Sequence, residues 1–361
     1  MTERKIETSN NNNSPTNELV VIRPNVKQPW DTRFEYSNDH AIAVLKEDGS
    51  VAAWGHPFKG GDTSLVNDQL KNGVKNIFSN GEAFAALKED GSVVTWGGYG
   101  GDSSDVKDEL SSGVINIYSN DEAFAALKED GSVITWGRDI KGGDSSKVAS
   151  QLSDGVINIV SIYDAFAALK EDGSVVAWGY DTDYNDESAG DASNVSTHLK
   201  DNVAEIYSTD NAFAALKEDG SVITWGSENS GGNPARTNYE FLTLLSTGVK
   251  EIKQSRGGFA ALKDNGTVVS WGDSFYGLND EDNNSIIEIH LSNNDLIYEK
   301  SDGSLLWDDK TLSNLKITNT EEVLEIKDIY PTYSDFNFIT TKGLIFNSDD
   351  IQSSSDTVHH I

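Results

Sequence analysis

The sequence predicts an all-β protein: a β-propeller of about seven to eight three-stranded blades, with short helical turns between the blades. Three observations carry this. The first is self-similarity. AFAALKEDGSVVTWG at 83–97 has near copies at 123–137, 165–179 and 212–226, altered copies at 40–55 and 258–272, and heavily altered ones at 295–308 and 335–347. A period of about 40 residues marks an array or closed ring of one supersecondary unit. The second is that a glycine turn, acidic Asp-Gly in most copies, divides each copy into two strand-like runs. The third is that the first of these runs is apolar on both faces, so neighbouring sheets must cover both sides.

Residues 115–137 show how one unit works. Ile115, Ile117 and Tyr118 predict a short strand, A, ending at Ser119-Asn120. Ala123–Lys128 is strand B, with Phe124/Ala126 on one face and Ala125/Leu127 on the other. Its alanines permit close packing of sheets. Glu129-Asp130-Gly131 is a tight turn whose glycine takes positive φ. Ser132–Trp136 is strand C, β-branched and aromatic, closed by Trp136-Gly137.

The linkers GGDTSLVNDQLKNGV (60–74), GGDSSDVKDELSSGV (100–114) and GGDSSKVASQLSDGV (142–156) predict short helical turns. Asp144 or Ser145 suits the N-cap, Val148 and Leu152 share a face, and Gly155 suits the end. A three-stranded sheet cannot bury both faces alone, and radial packing of units leaves only short, protected edges. The domain therefore spans 17–347, in units of about 34–74, 75–114, 115–156, 157–203, 204–249, 250–286, 287–326 and 327–347. Polar tails at 1–16 and 348–361 are expected to be disordered. Val20–Ile22 is a candidate added strand for the closing blade, and Trp30 with Phe34 a candidate anchor onto the first.

The paired signatures are Asp48-Gly49/Trp54-Gly55, Asp90-Gly91/Trp96-Gly97, Asp130-Gly131/Trp136-Gly137, Asp172-Gly173/Trp178-Gly179, Asp219-Gly220/Trp225-Gly226 and Asn265-Gly266/Trp271-Gly272. This hairpin resembles the regulator-of-chromosome-condensation (RCC1-type) repeat family. In its short period and alanine-rich strand it is similar to bacterial members such as the type II β-lactamase inhibitor protein. The resemblance implies a propeller that binds other proteins. Two departures stand out: the family is typically seven-bladed where eight A–B–C units are countable here, and its Asn-x-x-Gly-Gln-Leu-Gly stretch is replaced by the GGDSS linker. The family's founder promotes nucleotide exchange on a small GTPase, and no residue here matches an insertion that would carry that activity. Trp54, Trp96, Trp136, Trp178, Trp225, Trp271 and Trp307, with Gly49, Gly91, Gly131, Gly173, Gly220 and Gly266, are expected to be structural, the tryptophans buried.

Composition narrows the function classes. Lys+Arg 28 against Asp+Glu 59 gives a formal charge of −31, which repels phosphate backbones and anionic lipid. No nucleic-acid partner and no membrane insertion are expected, while a basic protein partner would be steered in. There are no cysteines, which excludes disulfides and thiolate chemistry. No cofactor and no metal are expected, since the KEDGS spacing matches neither an EF-hand nor a glycine-rich calcium repeat. No signal peptide or apolar span is legible, as suits a cytoplasmic protein or one exported without a cleaved signal.

The eight units differ mainly in the loops after Trp-Gly. These supply Phe58, Tyr99, Tyr180, Tyr184, Tyr239, Phe275 and Tyr276, and the A–B loops of the same face supply Asp39, Glu82, Asp121, Glu122, Asp164 and Asp210. Aromatic residues on variable loops, ringed by acid, predict a protein-binding face. The KEDGS turns on the opposite face read as solvated turn chemistry. A multivalent lectin, with a glycan as ligand, is the first alternative, and an exchange factor for a GTPase the second. Catalysis finds no support. His40, His56, His198, His290, His359 and His360 fall in different units and in the tail, and GDSS lacks the flanking Gly-x-Ser-x-Gly of a nucleophile elbow. The expectation is a non-catalytic binding protein.

Overall fold

The structure is a computed structural model that describes residues 37–38, 40–180, 190–237, 239–273, 286–292, 296–301, 305–307, 310–312, 326–331, 336–340 and 345–347. The expectations for 1–16, Val20–Ile22, Trp30, Phe34 and 348–361 lie outside these residues. Among them, the strands form eight separate antiparallel sheets in chain order, an all-β array of propeller-type blades. Unit 1 pairs β1 (Ala41–Leu45) with β2 (Val51–Gly55). A bridge between Ser37 and Ile42 takes the place of its A strand. Units 2 to 6 each have strands A, B and C: β3–β5 (Val74–Ser79, Ala83–Lys88, Val93–Gly97), β6–β8 (Val114–Ser119, Ala123–Lys128, Val133–Gly137), β9–β11 (Val156–Ser161, Ala165–Lys170, Val175–Gly179), β12–β14 (Val203–Ser208, Ala212–Lys217, Val222–Gly226) and β15–β17 (Val249–Gln254, Gly258–Lys263, Val268–Gly272). Unit 7 has four strands, β18–β21 (Ile286–Leu291, Leu296–Lys300, Leu305–Trp307, Lys310–Leu312), and unit 8 has β22–β24 (Ile326–Pro331, Phe336–Thr340, Ile345–Asn347).

The A strands of successive units lie side by side from β3 to β22. The two-faced apolar B strand explains this stacking, because Ala123, Phe124, Ala125 and Ala126 are all fully buried. One face of β7 (Phe124, Ala126) packs on Ala83, Ala85 and Leu87 of the preceding unit, and the other (Ala123, Ala125, Leu127) on Leu152, Val156 and Ile159 toward the next. The Asp-Gly turn joins units as well as strands. The Gly131 oxygen accepts from Val156 N at 2.9 Å, and Gly49, Gly91, Gly173 and Gly220 do the same for Val74, Val114, Val203 and Val249. Gly131 has φ +75, and a Cβ there would lie 2.6 Å from Gly155 N. No other residue fits so close a crossing.

Serines link the A strands in sequence. Ser79 Oγ donates to Ser37 O, Ser119 Oγ to Ser79 O and Ser161 Oγ to Ser119 O, at 2.8–3.0 Å. The KEDGS lysines are not merely solvated. Lys88, Lys128, Lys170, Lys217 and Lys263 each donate to a carbonyl late in the linker preceding their own unit (Gln69, Glu109, Gln151, His198 and Leu244).

The helical turns of the linkers at 100–114 and 142–156 are 3-10 turns, Ser104–Val106 with Glu109–Ser111, and Ser146–Val148. Of the two cap candidates, Ser145 makes no capping bond, while Asp144 Oδ1 accepts from Ser146 N at 2.8 Å. One expectation needs correction: Trp54 is 51 % exposed, whereas Trp96, Trp136, Trp178, Trp225 and Trp271 are buried. Trp54 pairs with Ile42 in register, as Trp96 does with Phe84, but no preceding unit's linker covers it among the described residues. The burial of Trp307 lies outside what the structure describes.

Candidate binding face

Each post-Trp loop begins where strand C ends, and Trp-Gly sets its direction. Phe84–Trp96, Phe124–Trp136 and Phe166–Trp178 stack at 5.3 Å between ring centroids, nearly parallel. The indole Nε1 of Trp96 donates to Gly60 O at 3.0 Å, that of Trp136 to Gly100 O at 2.9 Å and that of Trp178 to Gly142 O at 3.1 Å. The tryptophan of one unit thus holds the loop of the unit before it. The A–B loop supplies a second brace. Asn80 Oδ1 accepts from Glu82 N and Ala83 N, while its Nδ2 donates to Tyr99 O; Asn120 repeats this with Glu122 N, Ala123 N and Lys141 O.

These braces place the predicted residues. Phe58 and Tyr99 stand exposed, at 79 % and 53 %, on the wall of an open groove of about 930 Å³ between units 2 and 3. Trp136, Val133 and Ile134 also line it, with Thr135 Oγ1 tied to Gly143 O and Ser145 Oγ at 2.9 Å. Asp102, Asp105, Asp139 and Asp144 line the same groove, so acid surrounds its aromatic residues. Asp102 and Asp144 are held below the usual carboxylate range by the backbone and side-chain groups of Ser104 and Ser146. Both therefore stay charged near neutrality.

The A–B acids are brought to this face, but several are already paired. Glu82 is half-buried and bonds Lys59; burial works against its charge, yet Lys59 and the Tyr99 N–H keep it below its ordinary value. Glu122 bonds Arg138 at 2.5 Å, and the Arg138 guanidinium lies 5.5 Å from the centroid of the Tyr99 ring. This cation–π contact orients Tyr99. Asp121 O accepts from Gly81 N at 2.7 Å, joining the A–B loops of units 2 and 3. Asp210 pairs with Arg256 at 2.9 Å across units 5 and 6. Burial pushes the Asp164 carboxyl up, with Lys141 opposing.

Tyr239 is 81 % exposed in the linker between units 5 and 6, and Tyr180 is half-buried after unit 4. Neither lines the groove, so among the described residues only Phe58 and Tyr99 of the predicted aromatics share it. Tyr184, Phe275, Tyr276 and Asp39 lie outside the described residues. Sequence reasoning missed Ile140, exposed in the same loop class, and Tyr163, whose ring lies 4.4 Å from Lys141 Nζ. Tyr163 sits where the A–B loops of units 2, 3, 5 and 6 carry Gly81, Asp121, Asp210 and Arg256, and an aromatic residue at that position was the available signal. His40 and His56 do meet, with ring centroids 6.3 Å apart, beside Phe58.

No family model matches the chain, and no curated protein matches it. Solved structures do. Prp20p of Saccharomyces cerevisiae, described with its binding to Gsp1p and histones, is 16 % identical with a TM-score of 0.38, covering 89 % of this chain and 84 % of its own. Yeast RCC1 (Prp20) bound to Kap60 is 17 % identical with a TM-score of 0.39, covering 90 % and 82 %. Human WBSCR16 is 18 % identical with a TM-score of 0.38, covering 70 % and 81 %. Likeness at this level says nothing of partners, and the fold stands on the strand pairing itself. Among the described residues, no helix is long and apolar enough to cross a membrane.

Proposed function

We propose that this protein is a non-catalytic binding module of the inhibitor, effector or adaptor kind, and that it takes an extended basic segment of a partner protein into the groove between units 2 and 3. One observation carries the reading: exposed Phe58 and Tyr99 share a groove with Asp102, Asp105, Asp139 and Asp144. An aromatic wall supplies contact area at low entropic cost, and the surrounding carboxylates select positive charge. The pairing of Glu82 with Lys59 and Glu122 with Arg138 leaves those acids as braces, so the selecting charges are the four aspartates.

The test is capture of partners with the intact chain beside Phe58→Ala/Tyr99→Ala and, separately, Tyr239→Ala, with mass spectrometry of what each retains. Proteins lost with the double variant and kept with Tyr239→Ala support the groove. Equal retention by all three overturns it, and release of bound glycoproteins by free sugar replaces it with a lectin. No observation on the face favours nucleotide exchange on a GTPase.

A further inference from the structure

Unit 7 departs from the repeat at two positions that face each other, and the departure is chemical. In each three-stranded unit, the third residue of the A-strand segment pairs with an aliphatic residue on strand B: Asn76 with Leu87, Asn116 with Leu127, Asn158 with Leu169, Glu205 with Leu216, Glu251 with Leu262 and Asp328 with Ile339. In unit 7 the pair is Glu288 with Glu299. Two carboxylates directly opposite across a ladder repel each other. His290 stands two residues beyond Glu288 and so emerges on the same face. Its counterparts are Phe78, Tyr118, Val160, Tyr207, Lys253 and Tyr330, none of which has a second carboxylate opposite its neighbour.

We propose that Glu288, His290 and Glu299 bind a divalent transition-metal cation of the zinc kind. One ligand atom from each lies within 4.8 Å of the other two. The His290 Nε2 is shielded from solvent and has no hydrogen-bond partner among the described residues; Glu299 Oε2 stands 3.8 Å away, beyond hydrogen-bond reach. A buried nitrogen left without a partner is costly, and a cation would satisfy it together with the facing carboxylates. Tetrahedral zinc with bonds of about 2.0–2.2 Å asks for ligand separations near ~3.4 Å. The exposed Glu288 side chain has the freedom to close that gap. Lys253, the nearest cation on the adjoining A strand, is engaged by Glu251 at 2.5 Å. An imidazole-plus-carboxylate set suits zinc over calcium or magnesium, which take all-oxygen sites.

The repeat supplies variants that ought to fold. Glu299→Leu restores the leucine of units 2 to 6, and His290→Tyr restores the tyrosine of units 3 and 5. The full chain and each variant are titrated with zinc ions by calorimetry, and cobalt is added separately to read its visible absorption. The intact chain should bind one equivalent more than either variant, or bind it roughly tenfold or more tightly. The cobalt band of a site with imidazole and carboxylate ligands should vanish in both. Zinc held only by His40 with His56, or by His359 with His360, would persist unchanged in both variants. That result, or no binding by the intact chain, overturns the proposal.

Discussion

The indole Nε1 of Trp136 donates a 2.9 Å hydrogen bond to the backbone oxygen of Gly100, which belongs to the loop of the preceding unit. The same loop carries Tyr99, so the residue that closes one blade fixes the binding wall of another. Trp136→Phe should keep the stack on Phe124 and lose about 1 kcal/mol with the hydrogen bond. Trp136→Ala should lose about 3–5 kcal/mol. Chemical denaturation measures both. No loss in Trp136→Phe would mean that the inter-unit bond contributes nothing.

Acid should destabilise the fold through its turns. Asp48, Asp90, Asp130, Asp172 and Asp219 are held below their ordinary value by the side-chain and then the backbone group of the serine two residues on. A depressed folded pKa contributes stability that is present above the unfolded value of 3.8 and is lost as pH falls through the folded one. Asp164, raised by burial, acts the other way: its contribution is present below 3.8 and is lost as pH rises through its folded value. Five turns outnumber it, so Tm should fall steeply on acidification below about pH 4. Asn265 Oδ1 makes the equivalent turn bond to Thr267 N at 3.0 Å without a charge. Asp→Asn at the five turns should therefore preserve folding and flatten this pH dependence.

Asn202 has φ +59 and stands where the other linkers carry Gly73, Gly113, Gly155 and Gly248. Its backbone oxygen accepts from Glu218 N, as theirs do from the matching strand-B ends. Asn202→Gly should be neutral or slightly stabilising. Asn202→Ala should lose about 1 kcal/mol, because alanine gains nothing locally in the left-handed region. The urea midpoints of the two variants decide it.

Charge at the groove should act on association more than on dissociation. Asp105 and Asp139 are exposed and line the groove of Phe58 and Tyr99. Asp105→Asn/Asp139→Asn should slow association with a basic partner peptide several-fold at low salt and little at 1 M salt. Tyr99→Ala should instead speed dissociation. Stopped-flow rates separate the two, and an association rate indifferent to salt would remove the acidic rim from the reading.

The strand pairing and turns could be read from single residues. Ala123–Lys128 is apolar on both faces and Gly131 follows Asp130, and local pattern dictates a buried strand and a bulged turn from those facts alone. In the linkers the sequence offered both Asp144 and Ser145 as the cap, and only the structure shows that the Ser146 N–H goes to Asp144. At the site, the sequence named Phe58, Tyr99 and Glu82 because they sit in loops that vary between copies. It could not tell that Tyr239 stands apart from them, or that Glu82 and Glu122 are taken by Lys59 and Arg138.

What the sequence determined by itself is the unit: three strands, an Asp-Gly turn and a Trp-Gly close, written by alternation of side chains over a few neighbouring residues. What only the tertiary structure decided is which units meet which loops. Trp96 reaches Gly60, and Tyr99 shares a groove with Phe58. Trp54 is left exposed although its local sequence matches the rest. Burial depends on the neighbour that arrives across roughly 36–40 residues of chain, and no window of local sequence records whether that neighbour is there.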